Sequence, residues 1–535
     1  MRAAAAAILA LVLAACASGP SPAPAPAPRP WIMTKLVQGS AFHGVHGIRL
    51  SPDGQLYAGS VAGQSLYRIS PETGGATLVV GPPQGQADDI AFGPGGQMVW
   101  TAISQGIVYS RRGDGPVEVL ARIPSINSIA FSRDGRRLFA AQVFGGDDLW
   151  ELDPTGQKPP RKIREKMGGF NSFWPGPDGW LYGPLWFKGQ VVRVNPDTGE
   201  LVVVAQGVGT PASVKFDSRD NLYVIDTATG QLLRIDRASG EAQLVVQLQP
   251  SLDNFTIGPN DHAFVTNMAD NGVQEIDLRG QRIRQVMRGA LAYPIDLAVA
   301  GGPDGETLYV ADSFAFRAVD GRSGVVRDLE RAHAAGSRLT YPNAVGAGPR
   351  HAVVPAGTNV LLYAHGAGGY ASTLRGFGAV ADAVELADGD VLALERSGRL
   401  VRARGEAKTV VAEGLTGAIS LAASADGRVA YVSHPAAGKI TRIDLASGAR
   451  SDAATGLAMP RGIAVAPDGA VVVLEVGAKQ VSRILPNGAK EVVAQNLPVG
   501  LITTPIPAAG GVAVGPSGTI YVASDVENAI YRISR

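Results

Sequence analysis

Six points in the first half of the chain set a polar side chain at the head of a short apolar run. They are His46-Gly47, Asp88-Asp89, Asn127-Ser128, Asn171-Ser172, Ala212-Ser213 and Asp253-Asn254. They recur roughly every 42 residues, an interval that suits repeated units arranged about one axis. Carboxylate and amide oxygens gathered on such an axis suit a hard cation such as Ca2+, which takes about 6–8 oxygen ligands. A metal there could polarise an ester carbonyl or acidify a bound water. Without a cation, Asp88, Asp89 and Asp253 would repel one another, so a cation or a raised pKa is expected. His46, with His43 just before it, offers an imidazole as general base. The same residue types also make local turn hydrogen bonds to backbone N–H groups, and that alternative stays open.

The second half repeats the pattern less fully. Its equivalents are Asp296, Asn343, Asp382, Ser420, Arg461-Gly462 and Gly510-Gly511, so its last units leave the polar set. Loops farther along each unit add Asp226, Asn267, Asp312 and His434, with Glu395 and Glu475 at similar places. Aromatic residues are lopsided: all six tryptophans lie at or before Trp186, and Phe170, Phe173, Trp174, Trp180, Trp186 and Phe187 crowd one unit. They are either packing between units or an apolar wall at the axis mouth. On the second reading Trp174 and Trp186, with Asn254 and Asp226, line the substrate rim. No Gly-x-Ser-x-Gly elbow, phosphate loop or His-Glu-x-x-His motif occurs, which counts against serine-hydrolase, nucleotide-driven and zincin chemistry.

The elements that must position these groups are short strands. Ile48 to Tyr57 is the template: an apolar strand, a Pro52-Asp53-Gly54 turn and a second strand. Pro sets φ near −65° and Gly supplies φ > 0. A third strand, Ser65 to Ile69, and a fourth, Ala76 to Val80, complete a four-stranded unit. Twelve equivalents of the first turn run from Asp53 to Ser517, a mean spacing of about 42 residues, which is the propeller period. The expected fold is all-β: two tandem six-bladed β-propellers, with seven plus five blades as the alternative. Trp31–Val37 reads as a lone fourth strand ahead of blade one, and Arg282–Met287 as its counterpart opening the second half. Each ring would then be closed by a strand from its own start, with propeller 1 over 31–279 and propeller 2 over 280–535.

Composition agrees. The 535 residues include 68 Gly and 36 Pro, 45% are apolar and only 18% charged, which fits turn-rich β structure and excludes coiled coil and disorder. A net charge of +1 gives no reason to expect nucleic acid as a partner. The single cysteine, Cys16, excludes a disulfide framework. It closes Leu13-Ala14-Ala15-Cys16 after an apolar run beginning at Ala3, too short to span a bilayer. This resembles the lipobox of bacterial lipoproteins. The resemblance implies a signal peptide over 1–15, a lipid on Cys16 and a bacterial cell-envelope location. Residues 16–30 then form a Pro/Ala tether, extended at about 3.1 Å per residue.

The repeat unit resembles the SMP-30/gluconolactonase-like (regucalcin-like) superfamily, and more loosely NHL-repeat and virginiamycin B lyase propellers. The likeness covers nearly all of 40–535 as repeats. It implies a six-bladed fold, one divalent cation in the tunnel and, for many members, lactone hydrolysis. Asn127 in Ile-Asn-Ser-Ile and Asn171 in Phe-Asn-Ser-Phe look like the family's Asn ligands, and Asp253 like its Asp ligand. Where the family has a Glu-Gly pattern, this chain has Val45-His46-Gly47. On this resemblance Asp89, Asn127, Asn171 and Asp253 hold the metal, Ca2+ first with Zn2+ or Mg2+ as alternatives, and His46 or Asp88 acts on water. The implied substrate is a lactone or related ester. The alternative is a non-catalytic scaffold that binds an envelope protein or glycan.

Overall fold

The computed structural model describes residues 30–302, 305–366, 369–501 and 510–535. The leader, Cys16 and nearly all of the tether lie outside the described residues. Forty-eight strands form twelve four-stranded antiparallel sheets. Blade one consists of Val45–Leu50, Leu56–Ser60, Ser65–Ile69 and Ala76–Val80.

The local cause is the turn chemistry. Gly54 N donates to Ser51 O at 2.9 Å, and Gly54 holds φ at 82°, which a Cβ would strain. The Ser51 hydroxyl bonds the Asp53 carboxylate and ties the turn from the side. This register sets Leu50 opposite Leu56 and Ile48 opposite Ala58. Ile48, Leu56 and Ala58 are fully buried against Phe264, Val273 and Val286 of blade six. Each fully buried Leu or Ile contributes about 1.5–3 kcal/mol.

That contact closes ring one, blade one on blade six. In the same way Leu297, Leu308 and Val310 of blade seven pack on Ala513, Tyr521 and Ile530 of blade twelve, closing ring two. The rings are therefore six and six.

Two strands sit elsewhere than expected. Ile32–Val37 pairs with Ala529–Ser534 and becomes the outer strand of blade twelve, not a leader to blade one. Arg282–Met287 pairs with Gly272–Asp277 as the fourth strand of blade six. The reasons are geometric. Asp277 and Arg282 are paired across a tight hairpin, so the strand cannot leave its own blade. Blade twelve ends on its third strand, and the open edge takes the N-terminal strand. The blades of ring one thus run from 45 to 287, and ring two joins 32–37 to the blades after 296, in place of a boundary at 279/280. Ring one is inserted between the first strand of ring two and the rest of it.

The rings meet rim to rim. Gly44 N donates to Ala292 O at 3.0 Å and Ala335 N to Ala228 O at 2.8 Å. Ser251 Oγ donates to Ala332 O at 2.7 Å. Arg331 Nη2 is 2.6 Å from the buried Asp270 carboxylate, and Arg317 bonds both Asp312 and the Ala269 carbonyl. Buried charges held this way fix one relative orientation of the rings, because breaking a pair leaves a costly unpaired charge.

Candidate functional site

The first strand of each blade lines the ring-one axis, and the groups at its head gather at the mouth. Gly47 allows this approach: a Cβ there would lie 2.6 Å from the Asp88 carbonyl oxygen. His46 is thereby held against the neighbouring blades. Its Nδ1 lies 3.6 Å from Asp88 Oδ1 and 3.5 Å from Asp253 Oδ2. Burial opposes the imidazolium, but the Asp253 and Asp88 carboxylates outweigh it and raise the His46 pKa. Asp88 is pushed up to about 8 by burial, with Asp253 and Asp89 adding to the shift and His46 opposing it. His46 Nε2 is buried with no hydrogen-bond partner among the described residues.

Ring two supplies the other side of this site. The Phe314 ring stands edge-on to His46 at 5.3 Å, and Tyr341 edge-on to Phe314 at 5.7 Å. His333 packs on Tyr341 at 5.0 Å and on Trp186 of ring one at 6.0 Å. Phe144 continues the row against Trp186 and Phe187. The Tyr341 phenol is pushed up by burial and by the Asp253 and Asp88 carboxylates. Burial lowers the His333 imidazole.

Deeper in the tunnel lies a second cluster built around two basic side chains. Lys215 Nζ donates to Ser213 Oγ at 2.7 Å and Ser172 Oγ at 2.9 Å, with Asn254 Oδ1 at 3.4 Å. Arg49 Nε donates to Ile90 O at 2.6 Å, and its guanidinium lies 4.2 Å from the Trp174 ring centroid. Burial, and then Arg49, hold the Lys215 pKa well below its ordinary value. Asp89 answers both: Oδ1 accepts Ile90 N at 2.9 Å and Asn254 Nδ2 at 3.2 Å, and Oδ2 accepts Ile129 N at 3.3 Å.

The expected metal ligands can be tested on this geometry. The Asp89 oxygens are committed as above. Asn171 Oδ1 accepts Ser172 N at 2.9 Å and Ser128 Oγ at 3.1 Å, and Asn127 Oδ1 accepts Ser128 Oγ at 2.9 Å. Asp253 is set beside His46, and Arg49 and Lys215 bring basic groups to the tunnel. Among the described residues no three His, Cys, Asp or Glu side chains converge as metal ligands. Of the expected quartet, Asp89, Asn127 and Asn171 thus each already accept hydrogen bonds within the protein, while Asp253 faces His46. Ring two explains Asp89 structurally. Asp296 accepts Leu297 N and, from the next blade, Val345 N; Asp382 accepts Ala383 N and, from the next blade, Leu421 N. Asp89 repeats this staple with Ile90 and Ile129.

The other expected rim residues divide. Trp186 stands in the inter-ring aromatic row. Trp174 lies inside the tunnel against Arg49, and Asn254 belongs to the Lys215 cluster. Asp226 is buried in the turn that reaches ring two through Ala228, and its carboxylate accepts Thr210 N, Ala228 N and Thr229 Oγ1 and holds that turn. Sequence reasoning missed Arg49, Lys215, Phe314, His333 and Tyr341. A signal existed for the first two, since Ile48-Arg49-Leu50 and Val214-Lys215-Phe216 put a charge inside an otherwise apolar first strand. The other three come from the second ring, and no local pattern marks them.

Residues 182–313 match the family model for the SMP-30/Gluconolactonase/LRE-like region. The matched stretch runs from the second strand of blade four to just past the second strand of blade seven. Among solved structures it is similar to a catalytically inactive variant of virginiamycin B lyase from Staphylococcus aureus with quinupristin. That likeness has 15% identity and a TM-score of 0.39, covering 52% of this chain and 96% of that one. A provisionally assigned gluconolactonase is similar at 14% identity and a TM-score of 0.39, covering 49% of this chain and 94% of that one. A chain of a nidogen/laminin complex is similar at 19% identity and a TM-score of 0.32, covering 39% of this chain and 78% of that one. No curated protein matches the sequence.

Proposed function

We propose that this chain is a lipid-anchored envelope protein whose ring-one rim hydrolyses a lactone or related ester by acid–base chemistry. The observation that carries the proposal is His46, held between Asp88 and Asp253 with Nε2 left unpartnered. The two carboxylates lie on the Nδ1 side. Both orient the ring, and the Asp253 carboxylate supports the imidazolium that forms when Nε2 takes a proton from the attacking water. The water oxygen adds to the carbonyl carbon, the ring C–O bond breaks, and the proton passes to the leaving alkoxide. Asp88, protonated up to about pH 8, supplies a second acid beside the same imidazole. Because the raised His46 pKa delays its basic form, activity should rise toward alkaline pH. The reaction is proposed without a metal, since Asp89, Asn127 and Asn171 are already hydrogen-bonded within the protein and Asp253 serves His46.

The test is hydrolysis of δ-valerolactone followed in a pH-stat, with and without EDTA. His46→Ala should lower kcat/KM by about 10²-fold or more, and EDTA should leave it unchanged. Equal turnover by His46→Ala would refute the assignment. A second reading, a non-catalytic lipoprotein that holds an envelope protein or glycan, is favoured by the filling of the tunnel by Arg49 and Lys215. Absence of lactone turnover in the wild type would select it.

A further inference from the structure

A pocket of about 490 Å3 opens on ring two between blades eight and nine. That is within the size range of small-molecule sites, roughly 300–1,000 Å3. Three parts of the chain build it. The segment Arg338–Asn343 leads into blade eight, the hairpin around Gly357 joins that blade's second and third strands, and the strand Tyr370–Leu374 runs on to Arg375. Arg396, in the loop after Val391–Glu395 of blade nine, faces the same space.

Its chemistry is one-sided. Arg338, Arg375 and Arg396 line it, and no Asp or Glu does. Among the described residues none of the three forms an ion pair, whereas Arg402 and Arg404 nearby are both matched to Asp390. Two of the three are braced. The Arg338 guanidinium lies 3.7 Å from the Tyr370 ring centroid, and Arg396 N donates to Ala379 O at 2.7 Å. The Tyr370 phenol is lowered, first by its hydrogen bond with Thr373 and then by Arg338, as an electropositive setting requires. Tyr341 and Tyr370 add ring faces, and Thr340, Asn343 and Thr373 add neutral hydrogen-bonding groups.

We propose that this pocket binds an organic anion: a carboxylate or phosphate ester carried on a ring the size of one sugar. The guanidinium forks match such oxyanions in charge and in planar geometry, and the tyrosine faces take the ring. Nothing in the proposal depends on His46 or on turnover.

Calorimetric titration of the whole protein with glucuronate, glucose 6-phosphate and glucose tests it. The expected result is saturable binding of at least one anion with Kd below about 1 mM, weakened by added salt, and none of glucose. Arg375→Ala and Arg396→Ala should each raise Kd by about tenfold, one charge-assisted contact being lost. Lysine at the same positions should restore part of the binding, separating lost charge from lost folding. No binding of either anion, equal binding of glucose, or anion binding indifferent to both alanine variants would each overturn it. Because the readout is heat of binding, failure of the lactone reaction would leave this result intact.

Discussion

Replacing Asp89 by alanine should cost ring one far more than replacing Lys215 by methionine, although both side chains belong to one cluster. Asp89 accepts from two backbone amides and from Asn254, and lies 3.7 Å from the Arg49 guanidinium. Its removal strips a buried cation of its nearest anion and leaves two buried N–H groups without an acceptor. Breaking a buried pair in this way costs about 3–5 kcal/mol. Lys215 differs, because burial and Arg49 already disfavour its ammonium. Methionine keeps the stem's apolar contact and loses hydrogen bonds worth about 1 kcal/mol each at most sites. Shedding an expensive charge offsets that loss, so Lys215→Met should lie within about 1 kcal/mol of the wild type. Combined with Asp89→Ala, it should recover part of the loss, by removing the basic group that stands beside the unpaired Arg49. Urea unfolding followed by tryptophan fluorescence is the assay. Trp100, Trp150, Trp174, Trp180 and Trp186 all lie in ring one, and only Trp31 reports on ring two. A loss below about 1 kcal/mol for Asp89→Ala, or a larger loss for Lys215→Met, would refute the account of the cluster.

Two further outcomes are expected. Asp88 carries a folded pKa of about 8 against an unfolded value near 3.8, so the proton is bound more tightly in the folded state. Its contribution is fully present below pH 3.8 and is lost as pH rises through about 8, a fall on the order of a few kcal/mol. The urea midpoint of ring one should therefore drop between about pH 4 and 8, and Asp88→Asn should flatten most of that slope; a slope unchanged in the variant would contradict the assignment. For the anchor, Cys16→Ser should move the protein from the membrane fraction to the soluble fraction of fractionated cells. Membrane retention by the variant would exclude lipidation at Cys16.

Legibility followed the range of the interactions. The turn Ser51-Pro52-Asp53-Gly54 carries its own hydrogen bonds and its own positive φ, so the recurrence of such turns about every 42 residues announced the blades. The heads of the first strands were readable too, because a polar residue before an apolar run stands out in any one blade. What those heads do was not readable. Asp89 and Asp253 have the same residue type at neighbouring blade positions, yet one staples backbone amides and the other faces His46. In both pairs, Asp88-Asp89 and Asp253-Asn254, the first residue faces the His46 that arrives from blade one and the second bonds the next backbone amide.

The sequence by itself determined the all-β class, the blade period and the polar character of the ring-one axis, since these rest on contacts within about ten residues. Only the tertiary structure decided that Ile32–Val37 closes the second ring, because an exposed strand edge accepts any suitable partner and the choice lies some 490 residues away along the chain. It alone decided that the basic side chains of Arg49 and Lys215 stand in the tunnel where a cation was expected. It alone brought Phe314, His333 and Tyr341 over His46. Side chains from separate rings meet there because contacts such as the Arg331–Asp270 ion pair and the Arg317 bond to the Ala269 carbonyl fix the rings against each other, and no local pattern records that docking.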